Sequence, residues 1–377
     1  MLYLDNAATS YPKPDRVIEG TLRCLTESGG NPGRGSHYLA RAAAEVLYGA
    51  RSAASRLFGA PGPENVAFLP GATYALNTVI KGVTKQGDHV VISDMEHNSV
   101  RRPVSRLQKE GRITYSVFKT SRDPDRTLRS LEDSIKDNTS LVICQHCSNI
   151  CGRILPIERI GALCRSRNIY FAVDAAQSAG VFDIDILKMG IDALCVPSHK
   201  GLLAPQGAGM IVFSSADTGN IKTLVEGGSG SNSLSPEMPS ELPDRFEAGT
   251  LPTPVIAGLI EGMGFLERVG IGKIREHETE LGMFLTGELL CDRRFKVFLP
   301  AETGGTVLFN ASGVPPSSLA AELDKRGICT RPGFHCAPLA HSTLGTGESG
   351  ALRVSFGVFN TRRDAVTLLD ALQRILK

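Results

Sequence analysis

The chain has 377 residues, enough for two domains or for one large domain with a smaller one attached. Hydrophobic residues make up 42% and charged residues 21%, and the net charge of +2 leaves no electrostatic footprint for nucleic acid or an anionic membrane surface. No apolar run approaches the roughly 18 residues of a membrane span. The opening MLYLDNAATSYPKP lacks the basic head and apolar core of a secretory signal. Nine cysteines, odd in number and mostly dispersed, are expected to be reduced thiols in a cytoplasm.

In chain order, ENVAFLPGA, DHVVISDME, TSLVICQHCSN, IYFAVDAAQS and DALCVPSHK each read as a buried strand ending in polar residues. Amphipathic stretches such as VRRPVSRLQKEG and PIERIGALCRSRN lie between them. Strand and helix in alternation predict an α/β fold with a large, mostly parallel sheet covered by helices on both faces. EGGSGSNSLSPEMPSELPD, residues 226–244, reads as a long loop. From about Pro252 the texture changes. A long helical region breaks at Gly270 and Gly272, and KVFLP, TGGTVLFNASG and ALRVSFGVFN read as strands alternating with the helical SSLAAELDKRG. The closing TRRDAVTLLDALQRIL starts with Thr361 as N-cap and Asp364 three positions on, a capping-box pattern. The expected division is a large α/β domain over 16–255 and a small α+β domain built from 1–15 and 256–377.

In such sheets ligands gather at the carboxyl ends of the strands. Asp174 ends one strand and Lys200 follows the next. A lysine and an aspartate so placed suit a pyridoxal phosphate site, in which the lysine forms the Schiff base and the aspartate pairs with the protonated ring nitrogen. The alternative is a salt bridge and a solvated lysine. FLPGATYALNTVIKG adds a strand, a turn of small residues at Gly71, Ala72 and Thr73, and a helix, whose N-terminal N–H groups hold phosphate well. The alternative there is an ordinary N-cap at Thr73. His97 in DMEHNS is placed to stack on a flat ring or to exchange protons near neutral pH, or else is polar surface. In RPGFHCAPLA, glycine and proline set a turn around Cys336, which is either a nucleophile or a small buried residue.

Taken together these stretches carry a resemblance. YLDNAAT, NPGRGSH, GATYALN, MEHNS, SNICGRILPI, VDAAQSAG, SHKGLLAPQG, FEAGT, RPGFHCAPLA and LRVSFGVFNT follow the order found in the class V aminotransferase family of fold-type I pyridoxal phosphate enzymes. Within that family the chain resembles the cysteine desulfurases, and RxGxHCAP looks like the type II loop around their catalytic cysteine. The resemblance implies Lys200 as the Schiff-base lysine, Asp174 at the pyridine nitrogen, Gln177 at the ring hydroxyl, and His97 stacked on the ring and moving protons. It implies Ala72, Thr73, His199 and Ser198 at the phosphate, with Thr250 reaching the phosphate of the other subunit of a homodimer. Asn149 would lie beside cofactor and substrate. Arg353 would clamp the substrate carboxylate by a planar fork, with Arg34 and Ala8 on the same side.

The implied activity turns L-cysteine into L-alanine, with the sulfur held as a persulfide on Cys336 and handed to an acceptor protein. Lys200 would be the base, and His335 with Arg331 would favour the Cys336 thiolate. Selenocysteine lyase is the nearest alternative, with L-selenocysteine as substrate. A class V aminotransferase or lyase with an idle Cys336 is another. Two departures stand out. Pro197 and Ser198 occupy places that usually hold Ser or Thr and then Gly, and Gly33 precedes Arg34 where a histidine is usual. Cys144, Cys147 and Cys151 with His146 have a metal-like spacing, but Cys144 belongs to an apolar strand whose alternation sends Cys147 to the opposite face. A second CxxC is lacking, so no metal is expected.

Overall fold

The structure is a computed structural model and describes residues 1–33, 35–298 and 304–377. A short strand β1 (Leu2–Tyr3) precedes β2 (Val66–Leu69), β3 (Asp88–Ser93), β4 (Ile113–Phe118), β5 (Thr139–Gln145), β6 (Tyr170–Asp174), β7 (Ala193–Pro197) and β8 (Gly209–Phe213). Strands β2 to β8 form one seven-stranded sheet in the order β2-β8-β7-β6-β5-β3-β4. It is parallel except for β8, which runs antiparallel to both neighbours. The mostly parallel sheet is as expected. Strands β4 and β8 were not among the runs singled out in the sequence. β4 is an edge strand with only its end residues buried, so ITYSVF lacks the continuous apolar run of its neighbours.

Alternation along these strands divides the core in two. Val142, Phe171, Val173, Leu194 and Val212 face one side, where they meet Leu47 and Phe58 of helix Tyr38–Phe58 and Ile160 of helix Ile157–Ser166. Leu141, Ile143, Ala172, Ala193 and Ile211 face the other, against Leu76 and Val79 of helix Ala72–Val83 and Val100 and Val104 of helix Asn98–Lys109. Because the strands run together, their carboxyl ends bring Asp174, the segment before His97, and the loops leading to Asn149 and Lys200 to one edge of the sheet.

The later chain adds β9 (Phe295–Val297), β10 (Thr306–Ala311), β11 (Ile328–Cys329), β12 (Arg331–Gly333) and β13 (Ala351–Ser355). An antiparallel sheet forms in the order β12-β13-β10-β9, and β1 pairs in parallel with β11. The long helical region is two helices, Thr253–Val269 and Ile271–Leu290, divided at Gly270, whose φ of 92° favours glycine. Gly272 is not a break and lies within the second helix. The first helix buries Ile256, Leu259, Met263 and Leu266 in the core of the large sheet, and the second buries Leu281, Leu285 and Leu289 against the small one. The last helix, Arg362–Ile375, opens with the capping box read from Thr361 and Asp364. Among the described residues, no helix is long and apolar enough to cross a membrane.

Gly262 shows how closely the Thr253–Val269 helix approaches the loop after Lys200. A Cβ there would lie 2.1 Å from the Leu202 carbonyl oxygen. Gly262→Ala is therefore expected to lower the unfolding free energy by about 1–3 kcal/mol through overpacking. Gly287→Ala, where a Cβ meets nothing within 4 Å in a helix interior, is expected to raise it by about 0.5–1 kcal/mol. Denaturant unfolding of the two variants checks both signs.

Candidate active site

At the carboxyl edge of the large sheet a cleft of about 760 Å³ is lined by Ala72, Thr73, His97, Asn149, Asp174, Gln177, His199 and Lys200. These residues, all singled out in the sequence, thus line one cleft together with Gly71, Cys147 and Pro197. Ser99, Gln145, Gln206 and Gly207 also line it and were not singled out. Ser99 lay within the quoted MEHNS, but a serine two residues past a histidine carries no distinctive signal.

One end of the cleft is built to take an anion. β2 runs through a turn into helix Ala72–Val83, and Gly71, at φ 121°, is the N-cap with no side-chain cap. Thr73 is therefore not the cap. Its hydroxyl instead meets the Ser99 hydroxyl at 2.9 Å. The first backbone N–H groups of the helix have no acceptor within it, and they carry its positive dipole end. The turn lies directly on β8, where a Cβ on Gly209 would come within 2.6 Å of the Gly71 Cα. His199 adds a buried Nδ1 that has no partner among the described residues. Burial, with Lys200 and Lys13 nearby, holds this ring down to about 4, so it is neutral. Ser198 does not join this group. Its hydroxyl is 2.8 Å from both the Pro205 and Ala208 carbonyl oxygens and is absent from the cleft wall. An isolated hydroxyl next to a strand end satisfies itself on the nearest backbone carbonyls.

The other end holds the reactive groups. Asp174 Oδ1 accepts from the Ala176 N–H at 2.9 Å, and burial pushes its carboxyl up. Burial pulls Lys200 down to about 8, opposed by the Asp174 charge and reinforced by Arg353 and Arg331. Lys200 is half-buried in the cleft wall, so it is not a freely solvated surface side chain. His97 caps helix Asn98–Lys109, with Nδ1 accepting from the Ser99 N–H at 3.1 Å. Burial and the charge of Lys200 push its ring down to about 4. The neutral ring is thus favoured, a flat face beside Lys200. Gln177 donates to the Ala7 carbonyl at 2.8 Å. Asn149 donates to the His335 carbonyl at 2.8 Å and leaves a buried Oδ1 unpartnered.

The N-terminal segment holds this site from the side. The His199 carbonyl accepts from the Ser10 N–H at 3.1 Å, from the hydroxyls of Thr9 and Ser10 at 3.0 and 3.2 Å, and from Lys13 Nζ at 3.0 Å. Burial pulls Lys13 down to about 8. Arg353, only 1% exposed, pairs through Nη2 with Asp5 and donates through Nη1 to the Asn149 carbonyl at 2.8 Å, leaving Nε unpartnered. Asp5 was missed in the sequence. Only the fold sets it beside an arginine so far along the chain.

Cys336 is exposed and lies in a turn where His335 and Cys336 take φ of 50° and 56°. Left-handed backbone at non-glycine residues is costly and marks functional turns. The turn is tied to the cleft, because the Cys336 carbonyl accepts from the Asn98 N–H at 2.7 Å, one residue past His97. His335 does not favour a thiolate by charge. It is buried, bonded to the Arg331 carbonyl and to His341, and held down to about 3 by desolvation and by Arg353, so it is neutral.

Three other candidates fall elsewhere. Ala7 rather than Ala8 lines a second cavity that borders Lys200. Thr250 is exposed and lines a separate hollow with Gly33, Arg51 and Gly230. Arg34 lies outside the described residues. Cys144 packs in the large core and Cys151 in a small cluster with Met95, while Cys147 borders the cleft. Burial pushes all three thiols up.

The donor set suits pyridoxal phosphate. A helix N-terminus without a side-chain cap and the neutral His199 line one part of the cleft, and Asp174, a flat neutral imidazole and an amine with a lowered pKa line the other.

The family model described as Aminotransferase class-V matches residues 2–368. The chain is 32% identical to a probable cysteine desulfurase of Halalkalibacterium halodurans over 384 residues, covering 99% of this chain and 93% of that protein. It is also 32% identical to one of Methanothermobacter thermautotrophicus over 388 residues, with 99% and 94% covered. Among solved structures, the apo cysteine desulfurase of Thermococcus onnurineus NA1 superposes with a TM-score of 0.90 at 30% identity, covering 99% of this chain and 94% of that one. The cysteine desulfurase CsdA of Escherichia coli, in its S-sulfonic acid form, superposes with a TM-score of 0.89 at 25% identity and the same coverage.

Only the uncharged Lys200 amine attacks an aldehyde. Uptake of pyridoxal phosphate by cofactor-free protein, followed by absorbance, is expected to speed up with pH around a midpoint of about 8. Below that midpoint the rate should fall about tenfold per pH unit. Asp174→Asn removes a charge that raises the Lys200 pKa, so it is expected to move the midpoint down.

Proposed function

The chain belongs to the class V aminotransferase family, and from that premise we propose that it is a pyridoxal phosphate-dependent cysteine desulfurase, converting L-cysteine to L-alanine with the sulfur captured on Cys336. One observation carries the reading. An exposed cysteine in a left-handed turn is bonded through its carbonyl to Asn98, the neighbour of His97 in a cleft that also holds Lys200 and Asp174.

The cofactor, when bound, supplies an electron sink for the charge left at the substrate Cα. Ala72, Thr73 and His199 would hold its phosphate, Asp174 its ring nitrogen and Lys200 its tether, with His97 as a neutral flat wall. Gln177, already held by Ala7, would meet the ring hydroxyl through its free carbonyl oxygen. Lys200, with its amine near neutrality, suits removal of the Cα proton. Arg353, fixed by Asp5 and Asn149, offers a permanent positive charge to the substrate carboxylate. Asn149 Oδ1 is a spare acceptor beside it.

In the sulfur step the Cys336 thiolate forms a bond to the substrate sulfur. The substrate Cβ–S bond breaks and leaves its electron pair on Cβ, which takes a proton to become the alanine methyl group. Arg331, in register with Arg353 on the adjoining strand, would be the positive charge on this side of the turn in place of the neutral His335. The persulfide then passes to an acceptor protein. The exposure of Cys336 and of Phe334, at 42%, favours a partner docking on this turn. We further propose a homodimer in which Thr250 reaches the partner's phosphate site, since Thr250 is exposed and lies in a hollow apart from Lys200. The nine free cysteines favour a cytoplasmic setting.

Incubation with L-cysteine is expected to yield alanine and to add the mass of sulfur to Cys336. In Cys336→Ala, alanine formation is expected to fall by about 100-fold or more, as for loss of a nucleophile, with cofactor absorbance retained. Full amino transfer to a keto acid, with no persulfide, would instead select an aminotransferase in which Cys336 is idle. Rates with cysteine and selenocysteine side by side decide the preferred chalcogen.

A further inference from the structure

Beneath the Cys336 turn lies a run of hydrogen-bonded side chains that the steps above do not use. His335 Nε2 meets the Arg331 carbonyl oxygen at 2.8 Å, and His335 Nδ1 meets His341 Nε2 at 3.0 Å. His341 Nδ1 in turn meets the Thr346 hydroxyl at 2.9 Å. The two imidazole planes are 15° apart and their centroids 5.2 Å apart, the near-coplanar, edge-to-edge arrangement that a ring N–H···N bond requires. His335, His341 and Thr346 are all buried.

The chemistry of the two ends allows one arrangement of protons. A carbonyl oxygen only accepts, so His335 Nε2 must carry the hydrogen. The ring is neutral, held down to about 3, so its Nδ1 is bare and accepts from His341 Nε2–H. His341, held down to about 4 by burial and by Arg353, then has a bare Nδ1. The Thr346 O–H supplies the donor that this nitrogen needs. Each tautomer is set by the next group along. The run starts on β12, before Cys336, and ends past helix Pro338–Leu344, so it bridges the two sides of the turn.

What the run holds is strained. His335 and Cys336 both lie in the left-handed region, which is costly for residues that carry a Cβ. Asn149 and Asn98 hold the two carbonyls of the turn. The imidazole link is the tie on the side-chain side, and it keeps the His335 ring inward while its neighbour projects outward.

We propose that His341 is a positioning residue for sulfur transfer, which by donating to His335 Nδ1 locks the left-handed His335–Cys336 turn that presents the thiol. This rests on the reading of Cys336 as the group that takes up the sulfur. His341 lines neither the cleft nor the cavity beside it and is not a catalytic residue.

The test uses holoenzyme carrying His341→Leu or His341→Gln. Leucine removes the donor, whereas glutamine returns an amide N–H toward His335 and an amide oxygen toward Thr346. In His341→Leu, kcat for alanine formation and the single-turnover rate of persulfide formation on Cys336 are expected to fall together by about 10- to 100-fold, the scale of a misplaced reacting group. KM for cysteine and the absorbance change on adding cysteine are expected to stay near wild type, and His341→Gln to recover most of the loss. Thr346→Val, which leaves both rings in place, is expected to cost about 2- to 10-fold, the worth of one buried hydrogen bond, and it tests the run even where His341→Leu fails to fold. Wild-type persulfide formation in both His341→Leu and Thr346→Val overturns the proposal. So do equal losses in His341→Leu and His341→Gln that follow a common fall in Tm. Undiminished alanine formation in Cys336→Ala would overturn the reading of Cys336 itself, whatever the His341 variants do.

Discussion

A buried guanidinium that cannot shed its charge organises this molecule. Arg353 is 1% exposed and stands on β13 directly opposite Arg331 on β12. Two like charges in register repel, and burying one without a partner would cost several kcal/mol. Asp5 supplies the opposite charge, and the Asn149 carbonyl takes a second N–H. These contacts bind together three stretches far apart in the chain: the N-terminal segment, the turn after β5 and the small antiparallel sheet. Once Asp5 is held there, Thr9, Ser10 and Lys13 fall on the His199 carbonyl, beside Lys200. The ion pair therefore ties the small sheet and the N-terminal segment to the turn that carries Asn149 and, through His199, to the loop that carries Lys200.

The cleft is a collection of ionisable groups pushed toward their neutral forms. Asp174 is raised, Lys200 is lowered to about 8, and His97 and His199 are lowered to about 4, each chiefly by loss of water. Glu96, buried behind Asp174 and accepting from Ser93 and the Gln145 N–H, is raised to about 8 by the same cause. A dry site of this kind strengthens any charge pair later formed within it. A phosphate at the helix N-terminus and a basic ring nitrogen at Asp174 would each bring an opposite charge to a group that holds no ion pair among the described residues. The neutrality of the histidines has a second consequence. What they offer is position and a choice of which nitrogen carries hydrogen, and the positive charges close to His335 and His341 are those of arginines.

Much of the site was legible because parallel sheets gather strand ends at one edge. Asp174, Lys200, His97 and Asn149 each follow an apolar run, and alternation of strand and helix was enough to bring them together. The phosphate turn was legible for a similar reason, since a strand, small residues and a helix leave few other geometries for Gly71 to Thr73. Ser198 was misread because the direction of its hydroxyl depends on Pro205 and Ala208 doubling back beside it. His335 was misread because charge at neutral pH depends on burial, which one-dimensional spacing does not report. Ala7 and Ala8 differ only in which of two neighbours faces inward, and that follows from Gln177 reaching the Ala7 carbonyl.

By itself, the sequence determined the layered α/β architecture, the order of its motifs and the chemical types gathered at the strand ends. Those rest on periodicity and on backbone preferences that act over a few residues. Only the tertiary structure decided which groups are charged, which hydroxyls are spent on backbone, and that Asp5 answers Arg353 while His341 and Thr346 brace the Cys336 turn. Desolvation and hydrogen-bond pairing are set by whatever the folded chain brings alongside, and those neighbours come from segments that local pattern does not connect.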